Sequence, residues 1–126
     1  FKENPIWGIG PKGFRHYCRK VNYKPNIGIC STHPHNLLAQ ISAELGLIGI
    51  IFFLIFFIFL IKQFLNIFFL KNKSNHHYAF LVASLGILIN LFPILPSGNF
   101  FNNWISIFIY FNLGLYLVSY KKVKSE

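Results

Sequence analysis

The feature that most constrains the fold is a nearly unbroken run of apolar residues over positions 35–61. Folded as one α-helix, this run is about 40 Å long at about 1.5 Å per residue, whereas the hydrocarbon layer of a membrane is only about 30 Å thick. Such a helix crosses the membrane and extends beyond one of its surfaces. Hydrophobic residues make up 54% of the chain and charged residues 12%, which is typical of an integral membrane protein.

The whole sequence predicts an all-α membrane protein with about three transmembrane helices. Residues 1–33 are polar, contain several glycines and prolines and show no sustained helical or strand period, so we expect an irregular loop. The elements predicted after the loop are a first transmembrane helix with its interfacial end (34–70), a second (78–96), a third (103–120) and a tail (121–126).

Single residues predict two details of these helices. Ser31 or Thr32 can cap the first helix, and Pro34 then lies in its first turn. Pro93 is expected to kink the second helix, because proline has no backbone N–H to donate.

The chain carries a net charge of +9, from 12 Lys and Arg against 3 acidic residues. The cations are divided evenly between the two ends of the first helix, and the positive-inside rule mildly favours the later group as cytoplasmic. The loop 1–33 then faces outward, so the positive-inside rule does not explain its cations. Binding to membrane lipids or to phosphorylated substrates does explain them. No nucleic-acid-binding module is recognisable, so we expect no nucleic-acid partner.

His35 and Asn36 lie where the basic loop meets the apolar helix. His35 is either an ordinary hydrogen-bonded side chain at the interface or a general base, since the positive end of a helix disfavours a charged imidazolium and a neutral ring accepts a proton. Asn36 either orients a polar substrate group or caps its own helix. Helical spacing places Gly46 and Gly49 on the face of His35, where small residues let another helix approach closely.

The cations Lys12, Arg15 and Arg19 precede His35 in the loop. They contact either anionic lipid headgroups or the phosphates of a substrate, and Arg15 is the preferred candidate because a guanidinium binds two oxygens at once. Glu44 falls near the outer membrane border, where an unpaired carboxylate is costly. We therefore expect it to be buried with a cationic or hydrogen-bonding partner, and either to support a site or to lock two helices together.

Cys18 and Cys30 are the only cysteines, and both lie in the loop. They form a disulfide if the loop faces an oxidising compartment, or they are free thiols, or they bind zinc together with His33 and His35. The spacing matches no zinc module, so we expect no metal in the site.

Three segments of the chain resemble a known family. They are the Gly-x-Gly-x-x-x-Phe-Arg pattern over 8–15, the pair His35-Asn36, and, after nine intervening residues, Gly46-x-x-Gly49. Together they are similar to the conserved periplasmic loop and following helix of the O-antigen ligases and O-antigen polymerases, strongly so over 4–60.

The resemblance implies a polytopic glycosyltransferase of the bacterial inner membrane, with the loop 1–33 in the periplasm. It implies transfer of a glycan from an undecaprenyl-pyrophosphate carrier to a glycan or lipid acceptor, without a cofactor. Arg15 is then expected to contact the pyrophosphate and His35 to act as the base at the acceptor hydroxyl.

Members of the family are expected to have about ten or more spans and a further periplasmic Arg in an earlier segment, which this chain lacks. Together with the absence of methionine, this predicts a C-terminal fragment that is inactive alone. Two other functions stay open from the sequence. One is a transporter or flippase fragment that gathers phosphorylated lipid, and the other is a structural membrane subunit.

Overall fold

The computed structural model describes residues 4–20, 34–94 and 98–125, and for 18–20 the backbone alone. These ranges contain α1 (Gly13–Lys20), α2 (Leu37–Phe68), α3 (Asn75–Asn90) and α4 (Asn103–Ser125). Within them every regular element is a helix, so the all-α prediction is confirmed for the part of the chain that the structure describes.

Helix α2 corresponds to the long apolar run. Among the described residues it is the one helix that is long and apolar enough to cross a membrane. Its N-cap is Asn36, whose Oδ1 accepts a hydrogen bond from Ala39 N at 3.0 Å and whose carbonyl accepts one from Gln40 N at 3.0 Å. The prediction that placed Pro34 in the first turn is therefore wrong, because asparagine is among the best N-cap residues and starts the helix later.

The predicted caps Ser31 and Thr32 lie outside the described residues. With α2 beginning at Leu37, His35 is not part of the helix. The helix is also broken at Gly46, which has φ 65° and ψ −159°. The predicted strip of small residues on the face of His35 is consequently wrong, because no single helical register connects these positions.

Helix α3 ends earlier than predicted. Its C-cap is Leu91, whose N–H donates to Ile87 O at 2.9 Å. Pro93 therefore follows the helix and does not kink it, in keeping with the steric bias of residues before proline against helical backbone. With 16 residues, α3 is about 24 Å long. Helix α4 extends past the predicted boundary at 120, to Ser125. That α3 and α4 cross a membrane stays a prediction.

The chain divides into two compact units. The first contains Phe1–Leu54 and Pro93–Asn102, and the second contains Ile55–Phe92 and Asn103–Glu126. The core of the first unit includes Leu37 and Ile41, accompanied by the buried polar side chains of Gln40 and Glu44.

The second unit packs α3 against α4 in antiparallel fashion. Phe80, near the start of α3, lies with its ring centroid 4.9 Å from that of Tyr116 and 6.0 Å from that of Tyr120, which are near the end of α4. Further along α3, Gly86 faces the side chain of Asn112.

Candidate functional site

The break in α2 is closed by the loop 4–10. In a regular helix, residues 47 and 48 donate their N–H groups to the carbonyls of residues 43 and 44. In this protein all four of those groups pair with the loop. The bonds are Ile9 N to Ala43 O (3.0 Å), Gly10 N to Glu44 O (2.9 Å), Leu47 N to Pro5 O (2.8 Å) and Ile48 N to Ile6 O (3.4 Å). The backbone groups freed by the break are thus satisfied within the protein, as an apolar membrane segment requires.

Two glycines allow this close approach of loop and helix. Gly8 has φ 69°, and a Cβ there would lie 2.5 Å from the backbone carbonyl carbon of Glu44. Gly46 has φ 65°, and a Cβ there would overlap the carbonyl oxygen of Ile6. Gly46 therefore serves packing, as predicted from the sequence, but its neighbour is the loop and not another helix. Gly49 lies in α2 beside the Leu45 side chain.

Glu44 is the charged centre of this region, with a side chain only 1% exposed. Its carboxylate accepts hydrogen bonds from Lys12 N at 3.0 Å and Phe14 N at 3.3 Å, and from Gln40 Nε2 at 3.3 Å. The first two donors are N–H groups at the start of α1 that have no acceptor within the helix. A carboxylate is favoured there by both hydrogen bonding and the helix dipole. The expectation that Glu44 is buried with hydrogen-bonding partners is confirmed, and it joins α1 to α2.

Gln40 extends the network to a third segment, which the sequence reasoning missed. Its side chain is fully buried. Nε2 donates to Asn99 Oδ1 at 2.7 Å, and Oε1 accepts from Phe100 N at 3.0 Å. A polar residue four positions before Glu44 in an otherwise apolar helix was the available signal, because residues at that spacing are neighbours on a helix.

The predicted phosphate-binding cations lie on or beside α1. Lys12 and Arg15 are exposed, and Arg19 belongs to α1 with its side chain outside the described part. Arg15 directly follows Phe14, whose N–H is held by the Glu44 carboxylate. The backbone that carries this guanidinium is therefore fixed to α2, while its side chain remains accessible.

His35 and Asn36 lie at the start of α2. His35 is exposed. The amide of Asn36 caps the helix with its oxygen and donates through Nδ2 to Pro93 O at 3.0 Å. The capping interpretation of Asn36 is confirmed, and its contact with a substrate stays a prediction. Since Asn36 and Glu44 are eight residues apart, the two anchors lie about 12 Å apart along the helix axis.

His35 lies just before α2, and Arg15 lies on α1, which is joined to α2 at Glu44, ahead of the Gly46 break. His35 is positioned by the adjacent Asn36 cap, and Arg15 is positioned through Glu44. Both side chains are solvent-accessible in the first unit. That His35 accepts a proton and that Arg15 binds an anion stay predictions.

The remaining predicted groups fall outside the described residues. Cys30 and His33 are not described, nor is the side chain of Cys18, so the disulfide, free-thiol and zinc alternatives stay predictions. Among the side chains that are described, no three His, Cys, Asp or Glu residues are grouped closely enough to hold a metal ion.

If Glu44 fixes α1, replacing it with Ala should loosen that helix. We expect amide hydrogen exchange over 12–17 to become about 10- to 100-fold faster, because two N–H groups lose bonds to a charged acceptor. Exchange measured by mass spectrometry on the purified full-length protein checks this. The matched control is Ser42→Ala, since Ser42 Oγ donates only within α2, to Ala39 O. Equal exchange in both variants would contradict the assignment.

Comparison with known proteins identifies part of the chain. Residues 1–54 match the family model described as O-antigen ligase. The match includes the loop, α1, Glu44 and the Gly46 break, and it confirms the resemblance over this part. No curated protein and no solved structure matches the chain significantly.

Proposed function

We propose that this chain, which is related over residues 1–54 to the O-antigen ligases, forms part of a membrane glycosyltransferase. The enzyme transfers a glycan from an undecaprenyl-pyrophosphate carrier to a glycan or lipid acceptor, at the periplasmic face of the bacterial inner membrane. The observation that carries the proposal is the anchoring of the cationic helix α1 to α2 by the buried Glu44 carboxylate. It supports a fixed cation at the place where a phosphorylated lipid meets the protein.

Cleavage of the bond between the sugar and the carrier leaves negative charge on the pyrophosphate oxygens. A fixed cation stabilises that charge best when it does not have to reorganise during the reaction. Arg15 meets this condition because the backbone next to it is held at Phe14. Two of its five N–H donors bind the departing oxygens in parallel, and Lys12 and Arg19 add positive charge beside it.

The acceptor hydroxyl attacks the anomeric carbon from the side opposite the pyrophosphate, so the transfer inverts the anomeric configuration. Its proton passes to His35, and the electron pair of the broken carbon–oxygen bond leaves with the pyrophosphate. An imidazole is suited to this step because it takes up a proton near neutral pH. The cap at Asn36 holds the backbone of His35 in place while its ring remains exposed.

Arg15 provides the direct test of the phosphate site. Arg15→Ala should lower the rate of glycan transfer about 100-fold, since removal of one donor to a developing anion has an effect of about that size. Arg15→Lys should recover only part of it, because an ammonium cannot bind two oxygens in parallel. The measurement is transfer of carrier-linked glycan to acceptor by the full-length protein in membrane vesicles.

The matched control is His16→Ala, which removes the adjacent exposed side chain from the same helix. Its rate should stay within about twofold of the parent, as for most surface substitutions. Full activity of Arg15→Ala would overturn the phosphate assignment. A block in movement of the carrier across the membrane, with transfer itself intact, would favour a flippase.

A further inference from the structure

Helices α3 and α4 enclose a groove that the proposed glycan transfer does not use. Its volume is about 460 Å³, and the side chains lining it include His76, Val82, Leu115, Val118 and Lys122. All of them belong to the second unit. The proposed transfer site lies in the first unit, so this groove requires its own explanation.

The groove has an apolar body and a cationic end. Val82 and Val118 line the body and are 73% and 60% exposed, and Leu115 lies beside them. His76 is at the start of α3 and Lys122 near the end of α4, and both line the groove. Because the two helices are antiparallel, these two basic side chains lie at the same end.

Cations far outnumber acidic residues in the sequence around that end, where Glu126 follows Lys124. Residues 45–125 contain no Asp or Glu. The lysines at this end are Lys71 and Lys73, which precede α3, and Lys121, Lys122 and Lys124, which lie in the last turns of α4. This excess of positive charge favours an anionic ligand, and the phosphate of a lipid headgroup is the anion that a membrane offers.

We propose that the groove binds one anionic phospholipid. Its acyl chain lies against Val82, Leu115 and Val118, and its phosphate is bound by Lys122 and His76. Apolar contact explains why the groove favours a lipid over a free phosphate, and the excess of lysines explains why it favours an anionic lipid over a zwitterionic one. Phosphatidylglycerol has the required chemistry.

The test is native mass spectrometry of the full-length protein in detergent, titrated with phosphatidylglycerol or with phosphatidylcholine. The parent protein should bind one phosphatidylglycerol in preference to phosphatidylcholine. Lys122→Gln should weaken that binding about fivefold, as expected for the loss of one lysine contact. Lys62→Gln is the matched control, since Lys62 is exposed in the same unit and does not line the groove.

A second variant tests the apolar part. Val82→Trp fills the groove from an exposed position, so it should abolish the binding of phosphatidylglycerol while the protein remains folded. Equal binding of the two lipids, equal losses in Lys122→Gln and Lys62→Gln, or unchanged binding by Val82→Trp would each overturn the proposal. Competition by soluble glycerol phosphate as strong as that by the lipid would also overturn it, because the acyl chain would then contribute nothing.

Discussion

Replacing His35 with Ala is expected to lower glycan transfer about 10²- to 10⁴-fold, the range over which a positioned general base contributes to a reaction. The imidazole is exposed beside the Asn36 cap, and its loss removes the proposed proton acceptor. The measurement is attachment of glycan to acceptor in cells that produce the full-length variant. Untransferred carrier-linked glycan should accumulate at the outer face of the membrane.

Two comparisons separate a chemical effect from a structural one. His16→Ala removes another exposed imidazole from the same unit and should leave transfer intact. Purified His35→Ala protein should unfold at the same denaturant midpoint as the parent, since substitution of an exposed side chain usually changes stability little. Undiminished attachment would remove His35 from the mechanism, and accumulation at the inner face would point to transport.

The sequence predicted the features that depend on composition and short-range spacing. The apolar run predicted α2, because a run of twenty or more apolar residues is typical of a helix long enough to cross a membrane. Glu44 was predicted to be buried with partners because a carboxylate at the membrane border is costly without them. The motif over 8–15 and 35–49 predicted the resemblance to the O-antigen ligases, and residues 1–54 match that family model.

What the sequence did not predict depends on contacts between distant segments. The break in α2 exists because the loop 4–10 supplies hydrogen bonds to residues 43–48, and helical periodicity contains no information about such a partner. Gln40 likewise pairs with Asn99, 59 residues later. Helical periodicity alone predicted that Gly46 is a small residue on a helix face, without a break in the backbone.

Local rules failed where two of them competed. Ser31, Thr32 and Asn36 are all good N-cap residues, and the structure selects Asn36, whose amide also reaches Pro93 O. Pro93 can either kink a helix or follow its end. It follows the end here, since α3 stops at Asn90.

Gly46→Ala is expected to produce the largest loss of stability. Its backbone, at φ 65° and ψ −159°, lies in a region that is nearly restricted to glycine and costs other residues about 1–3 kcal/mol. The added Cβ would also overlap the carbonyl oxygen of Ile6, which is backbone and cannot rotate away. Together these effects should lower the free energy of unfolding by about 3 kcal/mol or more, measured by denaturant titration of the full-length protein in detergent.

Substitutions at two other glycines distinguish backbone strain from steric overlap as the cause of that loss. Gly10 has φ 88° but open space around an added Cβ, so Gly10→Ala measures backbone strain alone and should cost about 1–3 kcal/mol. Gly114 lies within α4 and also has open space around a Cβ. Gly114→Ala should be neutral or stabilising by up to about 1 kcal/mol, because alanine is the better helix former. If Gly46→Ala proved no more harmful than Gly10→Ala, the loop would not be packed into the break of α2, and the anchoring of α1 and Arg15 would lose its structural basis.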